Sequence, residues 1–157
     1  MQAQIRRILI PTDFSEPARQ AQAYAIALAE KFGSELHLMH IVPEVVIPFP
    51  DASTSWTMPA TFQKDQLKSA ETRLLQQLDT QWAKNHVVIQ TTKVGSPVEE
   101  IVSYAKETDI DLIVIGTHGY SGFAHFLLGS VAEKIVRMAT CPVLTVHPKG
   151  HQFVAEV

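Results

Sequence analysis

Five short apolar segments, separated by stripes with helical spacing, predict alternating β-strands and α-helices along the chain. The predicted strands cover residues 5–11, 36–42, 87–94, 112–115 and 142–146. Most are apolar on both faces, as in a buried parallel sheet, whereas residues 87–94 carry more polar side chains, which is typical of an edge strand. The order β-α-β-α-β-α-β-α-β predicts an α/β fold with a mainly parallel five-stranded sheet and helices on both faces.

Residues at the ends of the helical stripes give start and stop signals. Ser15 is predicted to cap the first helix, which has Pro17 in its first turn and ends at Gly33. Ser96 and Ser130 are each followed three residues later by a glutamate, which predicts capping boxes at the start of two later helices. The sequence therefore predicts serine N-caps for these three helices.

The segment between the second strand and the second helix contains four prolines, within residues 43–60. Proline at these positions excludes regular helix or sheet throughout the segment. Loops of this length are uncommon in compact domains and often bind ligands. A loop without any binding role is an equal alternative here.

Two of the predicted loops lie where ligands bind in this class of fold. Pro11, Thr12 and Asp13 end the first strand, and residues 116–119 follow the fourth. In open parallel sheets, ligands bind at the carboxyl ends of strands where the winding direction reverses. This position favours a binding role for Asp13 over the alternative of a simple turn residue. For Thr12, a structural role is favoured.

Four glycines lie in the stretch GTHGYSGFAHFLLGSV, residues 116–131. Glycines commonly supply turns, but backbone N–H groups freed by glycines beside a helix N-terminus also bind phosphate. The Walker, dinucleotide-binding and esterase-elbow patterns are absent, because the stretch contains no G-K-[ST], G-x-G-x-x-G or G-x-S-x-G. The sequence therefore predicts an anion or phosphate site of another kind.

The spacing that is present, G-x2-G-x9-G-S, resembles the nucleotide-binding motif of the universal stress protein family. The resemblance extends to residues 8–15 (ILIPTDFS), 129–135 (GSVAEKI) and 141–144 (CPVL), and so spans about residues 5–147. It implies an adenine-nucleotide-binding, Rossmann-like fold with strand order 3-2-1-4-5, here as a single domain over residues 1–157. It also implies a homodimer.

The resemblance assigns a set of nucleotide-binding positions. By position they are Pro11, Thr12, Asp13, Ile41, Gly116, His118, Gly119, Gly129, Ser130 and Val131. Asp13 would contact the adenosine portion, and the two residues before it would shape the same wall of the site. The backbone at Ile41 would contact adenine. The first two glycines would lie near the ribose and phosphates, whereas Gly129, Ser130 and the amide of Val131 would hold the phosphate tail.

The implied ligand is ATP, ADP or AMP, accompanied by Mg²⁺ or Mn²⁺. Many relatives carry basic residues at the positions of Tyr120 and His125, and charge-assisted contacts strengthen phosphate binding. His118 and His125 replace that charge only when protonated, and an unperturbed histidine is mostly neutral at pH 7. Binding is therefore expected mainly through backbone amides, Ser130 and the cation.

Composition narrows the classes of partner and compartment. The 157 residues include 13 basic and 16 acidic side chains, so the net charge of −3 gives no whole-chain reason to bind nucleic acid or an anionic membrane. No apolar run approaches the roughly 20 residues of a membrane span. The first residues are too polar and short for a secretory signal. The cytoplasm is the expected compartment.

Metal binding and disulfide formation have little support in the sequence. The single cysteine, Cys141, cannot form an internal disulfide, and no Cys/His cluster has the spacing of a zinc site. His37 and His40 are three residues apart on a predicted strand, so their side chains are expected on opposite faces. No protein metal site is predicted.

The last predicted strand suggests how two chains would associate. Val143, Leu144, Thr145 and Val146 form an apolar strand that lies at a sheet edge in the implied order. An open apolar edge is an aggregation hazard. Pairing with the same strand of a second copy would cover it, as in the dimers of the family.

These features favour binding over catalysis. No lysine or arginine occurs within residues 107–133, so no cation near the glycines is positioned for γ-phosphate transfer. No catalytic residue is assigned. The expected function is that of an ATP-binding, homodimeric regulatory module in a stress response. Two alternatives stay open: a nucleotide-independent dimeric scaffold of the same fold, and a slow ATPase.

Overall fold

The computed structural model describes residues 4–44, 46–48, 55–57, 60–117 and 129–147. The strands are β1 (Arg7–Pro11), β2 (Glu35–Pro43), β3 (Val46–Pro48), β4 (Ser55–Thr57), β5 (Val88–Gly95), β6 (Leu112–Gly116) and β7 (Val143–Val146). The helices are α1 (Glu16–Phe32), α2 (Ala60–Gln77), α3 (Thr80–Asn85), α4 (Pro97–Glu107) and α5 (Ser130–Met138).

Five parallel strands form the central sheet in the order β5-β2-β1-β6-β7. Counted along the chain, this is the predicted order 3-2-1-4-5, which is confirmed. β1 is the middle strand, where Ile8 pairs with Leu36 of β2 on one side and with Leu112 of β6 on the other. The polar strand β5 occupies one edge, as its composition predicts.

The two faces of the sheet bury separate apolar clusters. On one face, side chains of alternate strand residues such as Ile10 and Leu38 pack against the alanines of α1 and against Leu74 of α2. On the other face, residues such as Leu9 and Met39 pack against α4 and α5. The central strands are therefore apolar on both sides, and the prediction of helices on both faces is confirmed.

Helix α1 has the caps that the sequence predicts. The Ser15 side chain accepts a hydrogen bond from the Ala18 amide at 3.4 Å, which satisfies one of the amides that a helix leaves unpaired at its start. Gly33 ends the helix in the left-handed conformation, with φ +67°, which glycine adopts without strain.

The predicted capping boxes of α4 and α5 are wrong. Ser96 is the N-cap residue of α4 and Pro97 is its first helical residue, both as predicted, but the Ser96 side chain makes no capping hydrogen bond. In α5 the N-cap residue is Gly129, and Ser130 is the first helical residue. The reason is that Gly129 has extended backbone angles and its carbonyl accepts from the Glu133 amide at 2.9 Å, which moves the start of the helix one residue earlier than the side-chain pattern suggests.

The chain between β2 and β5 contains more structure than the sequence predicts. β3 and β4 pair in an antiparallel ladder within the proline-containing segment, consistent with prolines that interrupt, but do not remove, extended structure. The predicted second helix is divided into α2 and α3 at Asp79, whose side chain caps α3. Among the helices that the structure describes, none is long and apolar enough to cross a membrane.

Gly116, at the end of β6, lies against the first turn of α1. A Cβ atom built on Gly116 would lie 2.7 Å from the Pro17 carbonyl oxygen and 2.9 Å from its carbon. These neighbours are backbone atoms of a capped helix, so they have little freedom to move. The absence of a side chain at Gly116 is therefore what allows α1 to cross the end of β6 closely.

We expect Gly116→Ala to lower the free energy of unfolding by about 1–3 kcal/mol, the usual cost of overpacking a buried site. Urea titration followed by circular dichroism measures this change. Gly33→Asn is the matched control, because open space surrounds Gly33 and asparagine tolerates its left-handed angles. The packing role is contradicted if the two substitutions cost the same.

Candidate functional site

A cavity of about 360 Å³ opens at the carboxyl edge of the sheet, between the ends of the central strands and the N-termini of α4 and α5. Its lining residues are Pro11, Thr12, Asp13, Ala18, His40, Ile41, Pro43, Pro97, Ile101, Ile115, Gly116, Thr117, Gly129, Ser130, Val131 and Ala132. The volume falls within the range of small-molecule sites. The fold thus brings eight of the ten predicted site residues to one cavity. The other two, His118 and Gly119, lie outside the described residues, as do Tyr120 and His125.

The loop after β1 is shaped by bonds from its own side chains to its backbone. Thr12 Oγ1 accepts from the Phe14 amide, and Asp13 Oδ1 accepts from the Ser15 amide, both at 3.0 Å. Asp13 therefore does act as a turn residue, the alternative that its sequence position raised, while it also lines the cavity. The two roles use one side chain, since a carboxylate has several acceptor positions.

Phe14 gives this loop its sharp direction. It is buried and has φ +65°, a left-handed conformation that is uncommon for a large side chain. Its ring packs against the His40 ring at a centroid distance of 4.5 Å, and the Arg73 guanidinium lies 3.9 Å from its centroid. Backbone strain of this kind is typical of functional loops, and the strained residue directly follows Thr12 and Asp13 of the cavity lining.

His40 is a cavity residue that the sequence interpretation did not place in the site. Its Nδ1 lies 2.8 Å from the Thr12 carbonyl oxygen. Burial lowers the pKa of its imidazole, with the hydrogen bond to Thr12 opposing that shift. A signal was present in the sequence, because His40 interrupts an apolar strand close to its carboxyl end. His37 lies on the opposite face, with Nδ1 2.8 Å from the Tyr104 hydroxyl.

The opposite end of the cavity is the N-terminus of α5. The Gly129 amide donates to the Thr117 carbonyl. The Glu133 amide makes the first bond within the helix, to the Gly129 carbonyl at 2.9 Å. Because a helix leaves its first amides without an intrahelical acceptor, the N–H groups of residues 130–132 are available at this end of the cavity. They carry the partial positive charge of the helix dipole.

The charge of the described lining is low. Asp13 and His40 are its ionisable residues, and it includes no lysine or arginine. Amides at the α5 N-terminus are therefore the groups in this lining that can stabilise an anion. No group of three or more metal-binding side chains occurs in the part of the chain that the structure describes. Burial also raises the pKa of the Cys141 thiol, which makes it a weaker nucleophile and metal ligand at neutral pH.

Comparison with known proteins identifies the family. The family model described as "Universal stress protein family" matches residues 4–147. The universal stress protein MJ0531 of Methanocaldococcus jannaschii is 35% identical over 144 residues, which cover 90% of this chain and 81% of that protein.

Solved structures give the same result for the fold. The universal stress protein UspA from Lactobacillus plantarum superposes with a TM-score of 0.76 at 23% identity, covering 92% of this chain and 99% of that one. A universal stress protein solved in complex with cAMP has a TM-score of 0.59 at 26% identity, covering 92% of this chain and 98% of that one. From the family match, the sequence identity and the strand order together, the chain belongs to the universal stress protein family.

Proposed function

We propose that this protein binds an adenine nucleotide (ATP, ADP or AMP) in the cavity and serves as a dimeric regulatory module whose nucleotide state alters its interactions. The observation that carries the proposal is the convergence of the loop after β1, the end of β2 and the N-terminus of α5 on one cavity. A relative of the same fold is described in complex with cAMP, which supports an adenine nucleotide as the ligand class.

The two ends of the cavity suit the two ends of a nucleotide. β2 and β6 lie on opposite sides of β1, and are therefore roughly 10 Å apart at the usual strand spacing. In the proposed arrangement, the adenosine portion lies near Asp13 and the backbone of Ile41. The phosphates extend toward Gly129, Ser130 and Val131, where the first-turn amides of α5 bind anions.

A divalent cation would enter this site with the phosphates. Asp13 is the one carboxylate in the described lining, which is too few oxygen ligands for a protein-built Mg²⁺ or Mn²⁺ site. Mg²⁺ in nucleotide sites is commonly held by substrate phosphates together with one or two carboxylates. The cation would neutralise phosphate charge that this lining, without lysine or arginine, does not compensate.

Proline at residue 130 tests the amide contacts without removing the helix. Ser130 is the first residue of α5 and follows a residue with extended angles, the position where proline is well tolerated. Ser130→Pro removes one N–H group and the hydroxyl at the phosphate end. We expect the Kd for ATP with Mg²⁺ to rise roughly tenfold or more, since hydrogen bonds to charged groups contribute about 1.5–3 kcal/mol. Isothermal titration calorimetry measures the change.

Two further variants control this experiment. Ser130→Ala keeps the amide and removes only the hydroxyl, so the difference between the two variants isolates the N–H group. Thr80→Pro places proline at the first residue of α3, where the Asp79 side chain caps the following two amides, and it should leave binding unchanged. Absence of nucleotide binding by the unmodified protein would reject the proposal and favour the dimeric scaffold. Phosphate release that depends on Asp13 would favour the slow ATPase.

We further propose that β7 forms the dimer interface. β7 is an edge strand of the described sheet, with β6 as its neighbour. The carbonyls of Pro142 and Val146 accept hydrogen bonds from the amides of Ile113 in β6 and of Thr117, the residue after β6. In a parallel strand, alternate residues direct both their N–H and C=O groups to the same side. The backbone groups of Val143 and Thr145 therefore face the open edge. Within the described residues no strand pairs with this edge, so we propose that these groups pair with the same strand of a second copy.

Thr145→Pro tests this interface, because it removes an edge-facing N–H group and leaves the ladder to β6 intact. We expect the mass measured by size-exclusion chromatography with light scattering to shift from dimer toward monomer. Thr145→Val, which keeps the N–H group and favours strand structure, should remain dimeric. A dimer of unchanged stability in Thr145→Pro would show that the contact lies elsewhere.

A further inference from the structure

The His40 side chain forms part of the cavity wall and has no role in the nucleotide contacts proposed above. Its Nδ1 lies 2.8 Å from the Thr12 carbonyl oxygen. A carbonyl oxygen can only accept, so Nδ1 carries the hydrogen in this pair. In a neutral imidazole the other nitrogen, Nε2, is then an acceptor.

The orientation of this ring is fixed by its neighbours. Phe14 packs against it with the two ring planes inclined at 36°. Arg73 of α2 in turn lies over the Phe14 ring. A flip of the imidazole about Cβ–Cγ would put Cδ2 in the place of Nδ1 and Cε1 in the place of Nε2, and would lose the hydrogen bond to Thr12. The position of Nε2 is therefore set by the fold before any ligand arrives.

The surroundings also favour the neutral form. Burial is the main cause that lowers the pKa of His40. The charged groups that act on the ring are Arg73, which lowers the pKa further, and Asp13 of the loop after β1, which raises it. The net shift is downward, so at pH 7 the ring is neutral and Nε2 accepts.

Nε2 of His40 has no hydrogen-bond partner among the described residues. It is also not among the fully buried side-chain atoms that lack a partner, so this nitrogen is accessible. Since His40 lines the cavity, a ligand can reach this nitrogen. The neighbouring Ile41 is the residue whose backbone is predicted to meet adenine. The ring is also hydrogen-bonded to the Thr12 carbonyl, next to Asp13, so in the proposed arrangement the acceptor lies at the base end of the nucleotide.

We infer that Nε2 of His40 accepts a hydrogen bond from the base and makes the site selective for purines with an amino group at C6 over purines with a carbonyl there. The inference rests on the proposed nucleotide binding. An amino group at C6 donates to Nε2. A carbonyl at C6 instead brings a second acceptor against Nε2, because the hydrogen of a 6-oxopurine lies on N1 and not at the C6 substituent. A site built to pair with a polar group rejects a ligand that lacks it, at a cost comparable to an unsatisfied buried group.

Two matched pairs of nucleotides test the selectivity. ATP and ITP, and likewise AMP and IMP, carry identical phosphates and differ in the purine base, with an amino group at C6 in one and a carbonyl in the other. We expect the unmodified protein to bind the adenine member of each pair roughly tenfold or more tightly in isothermal titration calorimetry. The ratio of the two Kd values is the readout, because it cancels any effect on the phosphate end.

His40→Asn separates the two ring nitrogens of the residue. The asparagine amide can still donate to the Thr12 carbonyl from a position close to that of Nδ1, but nothing replaces Nε2. The Kd ratio should therefore fall toward one. His86→Asn is the matched control, because His86 Nδ1 also bonds a backbone carbonyl, that of Trp82 at 2.8 Å, and His86 does not line the cavity. Thermal melting of both variants checks that the fold is retained.

The pH dependence gives a readout that a purely structural role would not produce. Protonation of His40 converts Nε2 from an acceptor into a donor, so it weakens adenine binding and favours a carbonyl at C6. Because the pKa is lowered, the Kd ratio should be constant near pH 7 and fall only below about pH 6.5, the ordinary histidine value. In His40→Asn, the ratio should not depend on pH over this range.

The outcomes separate this inference from the proposed function. Equal affinity for the members of each pair, or a preference that His40→Asn leaves unchanged, overturns the role of His40 and leaves nucleotide binding in place. Failure of all four nucleotides to bind the unmodified protein overturns both. A pH-dependent preference that is lost in His40→Asn but kept in His86→Asn supports the inference.

Discussion

The pairing of β1 with β2 on one side and β6 on the other is the constraint on which the candidate site depends. β1 connects to α1 on one face of the sheet, whereas β6 leads toward α5 on the other. The two connections therefore diverge and leave a crevice at the carboxyl edge, as expected where the winding of an open parallel sheet reverses. Both ends of the cavity are held by this central strand and its neighbours.

Close packing and backbone strain fix the walls of that crevice. Gly116 permits α1 to lie against the end of β6, and the capped first turn of α1 in turn positions Ser15 and the loop before it. Phe14 holds a left-handed conformation within that loop, at a cost of about 1–3 kcal/mol for a non-glycine residue. Contacts with His40 and Arg73 offset this cost. The stability of the core and the geometry of the site are thus parts of one packing arrangement.

The electrostatics of the cavity follow from what its lining contains. With one carboxylate, one neutral imidazole and the amides of α5, the described lining can stabilise negative charge only through fixed dipoles, because it contains no cationic side chain. Such dipoles are already oriented before a ligand binds, so they require little reorganisation. A site of this kind is suited to recognition, and its selectivity depends on where donors and acceptors are held.

The sequence by itself determined the alternation of the five sheet strands with helical segments along the chain, the capped ends of α1 and the glycine spacing that predicts an anion site. These features depend on residues a few positions apart, so local propensity and periodicity reveal them. The tertiary structure alone decided that Gly129 caps α5, that Gly116 must accommodate α1 and that His40 belongs to the cavity. Each depends on contacts between segments distant in the chain, namely Thr117 with Gly129, Pro17 with Gly116 and Thr12 with His40. A local pattern marks such residues at most as exceptions, as with His40 in an apolar strand, and the contacts themselves arise only when the sheet brings the segments together.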